Sequence, residues 1–164
     1  EIAQCLVGSE MCIRDRKNNR EEIIVNPCEN EPREYLGIRN ANRFRFKAID
    51  SEGIGENTID VIGLNDIERV MIPRMEEWES LEERLIEIEN DLKEDGFKQK
   101  YKNRLRKIME ECLPDMSYSA TKATNLLNDD TYSGIKNILI ESDQWTDDLK
   151  ELEKDIEHIA LKLV

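Results

Sequence analysis

The apolar positions of this chain change their spacing near Pro73, and the change divides it into two kinds of segment. Ahead of that proline the period is short. In "RFRFKA" the residues Phe44, Phe46 and Ala48 alternate with Arg43, Arg45 and Lys47, the period of two that turns one side of a strand to a core and the other to water. The glycines of "SEGIGEN" predict a turn and "TIDVIG" a strand returning from it, so that the two form a hairpin. "EEIIV", Glu21 to Val25, is a further strand candidate, closed by Asn26-Pro27 because proline offers no N–H to a continuing ladder. In "LNDIERVMI", Leu64, Ile67 and Val70 or Met71 fall on one side of a short helix, and Pro73 either stops that segment or opens the next.

Beyond Pro73 the period is helical. Trp78, Leu81, Leu85, Ile88 and Leu92 follow one another at alternating steps of three and four, a narrow seam of the coiled-coil kind. Asp95-Gly96 predicts a break, because glycine takes the left-handed conformation that ends helices. Phe97, Tyr101, Leu105, Ile108 and Cys112 then form a second stripe, making a helical hairpin that runs to Pro114. Further helices are expected around Ser119–Leu127 and Tyr132–Ile140. A last one follows a Thr146 cap, with Asp147 and Asp148 at its positive end and Trp145, Leu149, Leu152, Ile156, Ile159 and Leu163 on its seam. The expected fold class is α+β: a small antiparallel β unit, hairpin or partial barrel, over 17–72, and a helical bundle over 73–164.

The first sixteen residues stand apart from this pattern. "CLVGSEMCIRDR" back-translates into one continuous frame that resembles the adapter of transposase-based sequencing libraries, so 1–16 is expected to be a non-native tail. On that expectation the natural start is missing and Lys17–Val164 is the C-terminal portion of a longer protein. The net charge of -13 is little affected, since removing three acids and two bases leaves -12. Such an excess of acid argues against indiscriminate binding to nucleic acid or anionic lipid, while leaving room for a local basic patch. With Cys5 and Cys12 set aside, only Cys28 and Cys112 remain, which makes no disulfide framework. One histidine cannot assemble the usual zinc patterns, so no metal and no cofactor are expected. Reduced cysteines suit a cytoplasmic protein. No apolar run approaches the roughly 20 residues needed to span a bilayer, and no membrane is expected as a partner.

Candidate chemistry is mostly electrostatic. From Glu76 to Asp95 acids dominate, whereas "KQKYKNRLRK" carries Lys98, Lys100, Lys102, Arg104, Arg106 and Lys107 without an acid. Such a helix either meets nucleic acid through Lys98, Lys102 and Arg106 or folds back on its acidic neighbour. Arg43, Arg45 and Lys47 on the predicted strand are the other candidate nucleic-acid contacts. Gly53-Ile54-Gly55 is half a dinucleotide fingerprint in the wrong strand context, and Ile54 stands where a calcium loop needs a ligand, so a hairpin turn is expected there. His158 falls off the last seam as a surface residue, and nothing near it supplies a triad; no catalytic residue is expected. Cys112 sits on the apolar stripe as a small core residue, and Cys28, in a link, is the more exposed thiol.

"RFRFKAIDSEG" followed by "TIDVIGLNDIERVMI" is similar to the end of the small-barrel WYL domains, with Phe44-Arg45-Phe46 in place of the Trp-Tyr-Leu triplet and Leu64-Asn65-Asp66-Ile67 without the family's arginine. The resemblance implies a ligand-sensing or nucleic-acid-sensing regulatory module and carries over no binding residue. The expected function is a non-enzymatic cytosolic interaction or scaffold module that meets a protein partner, or itself, through helix seams. The alternatives are a nucleic-acid-associated regulator and the tail of an enzyme whose catalytic domain lies upstream.

Overall fold

The computed structural model describes residues 24–26 and 29–164. The adapter-like segment, the Glu21–Ile23 part of the first strand candidate and Cys28 lie outside the described residues. Those described fall into two compact units: the residues up to Pro73 together with Lys162–Val164, and Arg74–Leu161. The fold is α+β, a small sheet followed by helices.

In the first unit a single helical turn, α1 (Pro32–Tyr35), leads into β1 (Leu36–Arg39), which pairs antiparallel with β2 (Asn42–Ala48). Leu36 faces Ala48, Gly37 faces Lys47 and Ile38 faces Phe46, after which the register shifts so that Arg39 meets Asn42. Leu36, Ile38 and Phe46 are buried while Arg45 and Lys47 are exposed, as the alternation requires.

The hairpin partner is therefore upstream of β2, and the return strand expected at Thr58–Gly63 is instead helix α2 (Ile54–Ile62). Asp50 decides this. Its carboxylate accepts from the backbone N–H groups of Glu52, Ile54 and Gly55 at 3.2, 2.9 and 2.9 Å, satisfying donors that a starting helix leaves unpaired. Gly53 takes φ 80° at the helix entry and Gly63 φ 70° at its exit, so the glycines that suggested a hairpin turn are helix boundaries. Gly55 must also be glycine, because a Cβ there would lie 2.3 Å from the Tyr35 carbonyl oxygen.

Ile24–Asn26 forms no strand. Val25 is nonetheless buried, and its N–H donates to Thr58 Oγ1 at 2.9 Å, which replaces the ladder bond a strand would have made.

The π-helical turn Ile67–Met71 runs directly into α3 (Ile72–Asp95). Pro73 accounts for it: proline has no N–H and its ring crowds the carbonyl four residues back, that of Arg69. The chain widens by one residue, with Met71 N–H reaching Asp66 O at 2.9 Å and Ile72 N–H reaching Ile67 O.

The second unit is a bundle of α3, α4 (Gln99–Glu110), α5 (Ser119–Leu127), α6 (Asp130–Glu141) and α7 (Asp147–Ile159). Trp78, Leu81, Leu85, Ile88 and Leu92 are all buried, and so are Tyr101, Leu105, Ile108 and Cys112; each large side chain removed from water contributes about 2 kcal/mol. Gly96, at φ 70°, turns the chain between α3 and α4. Six successive positions of α5, Thr121 to Leu126, are buried, so this helix is enclosed on every side. Its Thr124 hydroxyl donates to Ala120 O and accepts from the Leu161 N–H. A helix buried all round shows no clean stripe in sequence.

The last seam needs correction. Leu149 and Ile156 are buried, but α7 ends at Ile159 and Leu163 is not on it. Lys162–Leu163 forms β3, which pairs parallel with β1, Gly37 opposite Lys162 and Ile38 opposite Leu163. The sheet order is β2-β1-β3, mixed rather than purely antiparallel. Thr146 stands at the N-cap of α7, but its side chain accepts nothing from the helix backbone; its hydroxyl instead donates to Asp148 and accepts from Lys102 Nζ at 2.6 Å.

Candidate interaction surfaces

Several cations of the basic helix α4 meet carboxylates within its own unit, while Lys100 and Lys107 stand exposed without a carboxylate partner among the described residues. Arg104 reaches across to α3, donating to Asp91 and Glu87 at 2.7 Å each. Lys98 meets Asp95 at 2.5 Å, and Arg106 meets Glu110 at 3.0 Å and Asp148 at 3.6 Å. Lys102 lies 3.9 Å from Asp148. Arg84 of α3 closes the same hairpin from the other side with a two-pronged contact to Glu111, both bonds 2.8 Å. These contacts shift the groups that make them. The Arg84 guanidinium holds Glu111 below the usual carboxylate range, and hydrogen bonds from Lys98 and Tyr101 do the same for Asp95. The Thr146 hydroxyl, aided by Lys102, lowers Asp148.

Cys112 and Tyr132 are both buried in this unit. Burial pushes the Cys112 thiol up to about 12, which keeps it protonated and inert. Tyr132 is raised by burial and by donating to Glu153 at 2.8 Å, a carboxylate that also takes Lys136 at 2.7 Å. His158 is exposed on α7. Among the described residues no group of three or more His, Cys, Asp or Glu is placed to hold a metal ion, and no helix is long and apolar enough to cross a membrane.

The sheet of the first unit presents the opposite situation. Arg45 and Lys47 stand exposed on the solvent side of β2, with Arg43 half-buried beside them and Arg39 exposed at the end of β1. Lys47, Gly37 and Lys162 form one row across the three strands, which sets the stems of Lys47 and Lys162 about 10 Å apart. Gly37, the middle of the row, is covered: a Cβ there would lie 3.0 Å from Val164 Cγ2 and 3.1 Å from Ile49 Cγ2. Among the described residues no carboxylate pairs with Arg45, Lys47 or Lys162.

The outer edge of β2 is closed at Phe46, whose N–H donates to Asn65 Oδ1 at 2.8 Å and whose carbonyl accepts from Asn65 Nδ2 at 3.0 Å. A side-chain amide thus takes the place of a neighbouring strand and protects the edge.

Of the cations singled out in the sequence, Arg43, Arg45 and Lys47 lie together on β2, while in the other unit Lys102 and Arg106 lie on α4 and Lys98 is the N-cap residue at its start. Lys162 was missed, because nothing local marks the chain's end as a strand and its neighbours on β1 and β2 are remote in sequence.

No family model matches the chain, and no solved structure matches it. It is 27% identical over 152 residues to the Septu protein PtuB of Bacillus thuringiensis. The likeness takes in 88% of this chain and 57% of that relative, so the chain spans somewhat over half of the relative's length.

Proposed function

We propose that this chain is a non-enzymatic interaction module, working in the cytoplasm as one component of a longer, multi-part protein system. The observation that carries the reading is the set Arg45, Lys47 and Lys162 on the solvent side of the sheet, exposed and without a carboxylate partner among the described residues. In a chain of net charge -13 there is no shortage of carboxylates to neutralise three cations. In the helical unit Arg104 and Arg106 of the basic helix each meet a carboxylate. Cations left to water by such a chain are available to a partner, and complementary charge governs encounter rate and specificity.

The helix seams are spent inside the bundle: Leu81, Leu85, Ile88, Leu149 and Ile156 are fully buried within one chain. A partner therefore meets charged outer surface rather than an apolar row. The likeness to the Septu protein PtuB over 57% of that protein supports a role as part of a larger assembly, with Septu as its setting.

The test is a chimera in which the matching portion of the Bacillus thuringiensis protein is replaced by this chain. The chimera is expected to co-purify with the same proteins as the intact relative. A chimera that folds, by circular dichroism and a cooperative melt, yet holds none of them would overturn the proposal.

A further inference from the structure

Resting on the interaction reading above, we infer that the solvent face of the three-stranded sheet is the docking surface for an acidic segment of a partner protein, one that sets an aliphatic side chain between carboxylates. Three features of the face specify that chemistry.

The first is charge. Arg45, Lys47 and Lys162 are exposed and without carboxylate partners among the described residues, and they surround the middle of the face from both edge strands.

The second is the apolar centre. Gly37 contributes no side chain, so Val164, 41% exposed, and the half-buried Ile49 close over it. An apolar spot rimmed by cations matches an amphipathic acidic strand or helix, with the aliphatic group anchoring and the carboxylates orienting. The free edge of β2 is sealed at Phe46 by Asn65, which directs a ligand to the side-chain face rather than to strand addition.

The third feature separates a protein from a nucleic acid. Phe46 is buried and Phe44 half-buried, so the face offers no exposed ring of its own for a base to stack on, the contact that single-stranded nucleic acid uses most. A duplex, with a charge about every 1.7 Å, extends far past three cations. A short acidic segment needs only the local face, because screening limits each charge to about 8 Å at physiological salt.

The experiment uses the whole chain and two fluorescent probes: a synthetic peptide of alternating glutamate and valine, and a single-stranded oligodeoxynucleotide of equal length. Anisotropy titration is expected to show the peptide binding more tightly than the oligonucleotide, and weakening as salt is raised. The double variant R45E/K47E, which removes no described intramolecular bond and is checked for an unchanged melt, is expected to weaken the peptide by about ten-fold or more. Equal or tighter binding of the oligonucleotide would overturn the assignment in favour of nucleic acid, and an R45E/K47E variant that binds the peptide unchanged would remove the sheet face. The same substitutions in the chimera keep the two proposals apart. A chimera that keeps its partners despite R45E/K47E sinks the docking surface alone, whereas an unmodified chimera without partners sinks the interaction reading itself.

Discussion

The two units of this protein hold themselves together by different means. In the helical unit the apolar rows are buried and the contacts that cross from helix to helix mostly join one side chain to another: Arg84 to Glu111, Arg104 to Glu87 and Asp91, Lys136 and Tyr132 to Glu153. In the sheet unit the fixing contacts run from side chain to backbone. Asp50 accepts from three N–H groups, Asn65 brackets Phe46, and Thr58 accepts from Val25 while donating to the carbonyl of Ile54 at 2.7 Å. The difference follows from size. A bundle can pair long amphipathic helices along continuous apolar rows, while a three-stranded sheet with one short helix leaves backbone polar groups that must be satisfied one at a time. It also decides where charge is spent. The bundle uses Arg84, Arg104 and Lys136 as cross-braces, and the sheet leaves Arg45, Lys47 and Lys162 without a carboxylate among the described residues.

The largest expected effect tests the buried apolar rows. Leu85→Ala removes a fully buried side chain from the α3 seam and should cost about 3 kcal/mol. The change should be visible in urea melts followed by Trp78 and Trp145 fluorescence, since both tryptophans lie in the helical unit. A loss below about 1 kcal/mol would mean that the seam is not the core.

Asp50→Ala should cost about 2 kcal/mol by stranding three backbone donors at the start of α2. Hydrogen exchange should rise over Glu52–Ile62 with little change in α4. Uniform exchange across both units would contradict the contrast between them.

The third expected change has the opposite sign. Both polar atoms of the Asn125 side chain are buried without a hydrogen-bond partner among the described residues, so Asn125→Leu should stabilise the helical unit by about 1 kcal/mol. A destabilised variant would show that the amide has a structural role.

Smaller still is the Arg84–Glu111 brace, half-exposed at both ends and worth about 0.5–1 kcal/mol. Because Glu111 is lowered from its ordinary 4.5, its contribution is complete above that pH and fades as pH falls through the lowered folded value. Glu111→Gln should flatten this part of the acid limb of a stability profile. The smallest effect on folding belongs to R45E/K47E, expected within about 0.5 kcal/mol of the parent because the substitutions touch no described partner. A larger loss would show that these cations brace the fold.

Legibility in the sequence followed the same division. The seams of α3 and α4, the break at Gly96 and the span of α5 were readable, because a helix writes its period into neighbouring residues. Of the two readings open for the basic run, folding back on the acidic helix describes Arg104, which meets Glu87 and Asp91, whereas Lys102 and Arg106 turn to Asp148 and Glu110. The segment after Asp50 misled: its glycines and β-branched residues resemble a turn and strand, and the capping carboxylate that makes it helical acts on backbone N–H groups, which no residue pattern displays. The end of α7 misled for a related reason, since Leu163 continues the spacing of the seam while its carbonyl and amide neighbours belong to a strand.

By itself, then, the sequence determined the helical bundle, its apolar rows, its charge excess and the outward cations of β2, all of them properties carried by local spacing and composition. Tertiary structure alone decided that β1 rather than a downstream strand pairs with β2, that the last residues return to the sheet, and that Lys162 therefore stands beside Gly37 opposite Lys47. Strand pairing joins residues far apart along the chain through backbone hydrogen bonds common to every residue type, so the face those strands build exists only once the chain has closed on itself.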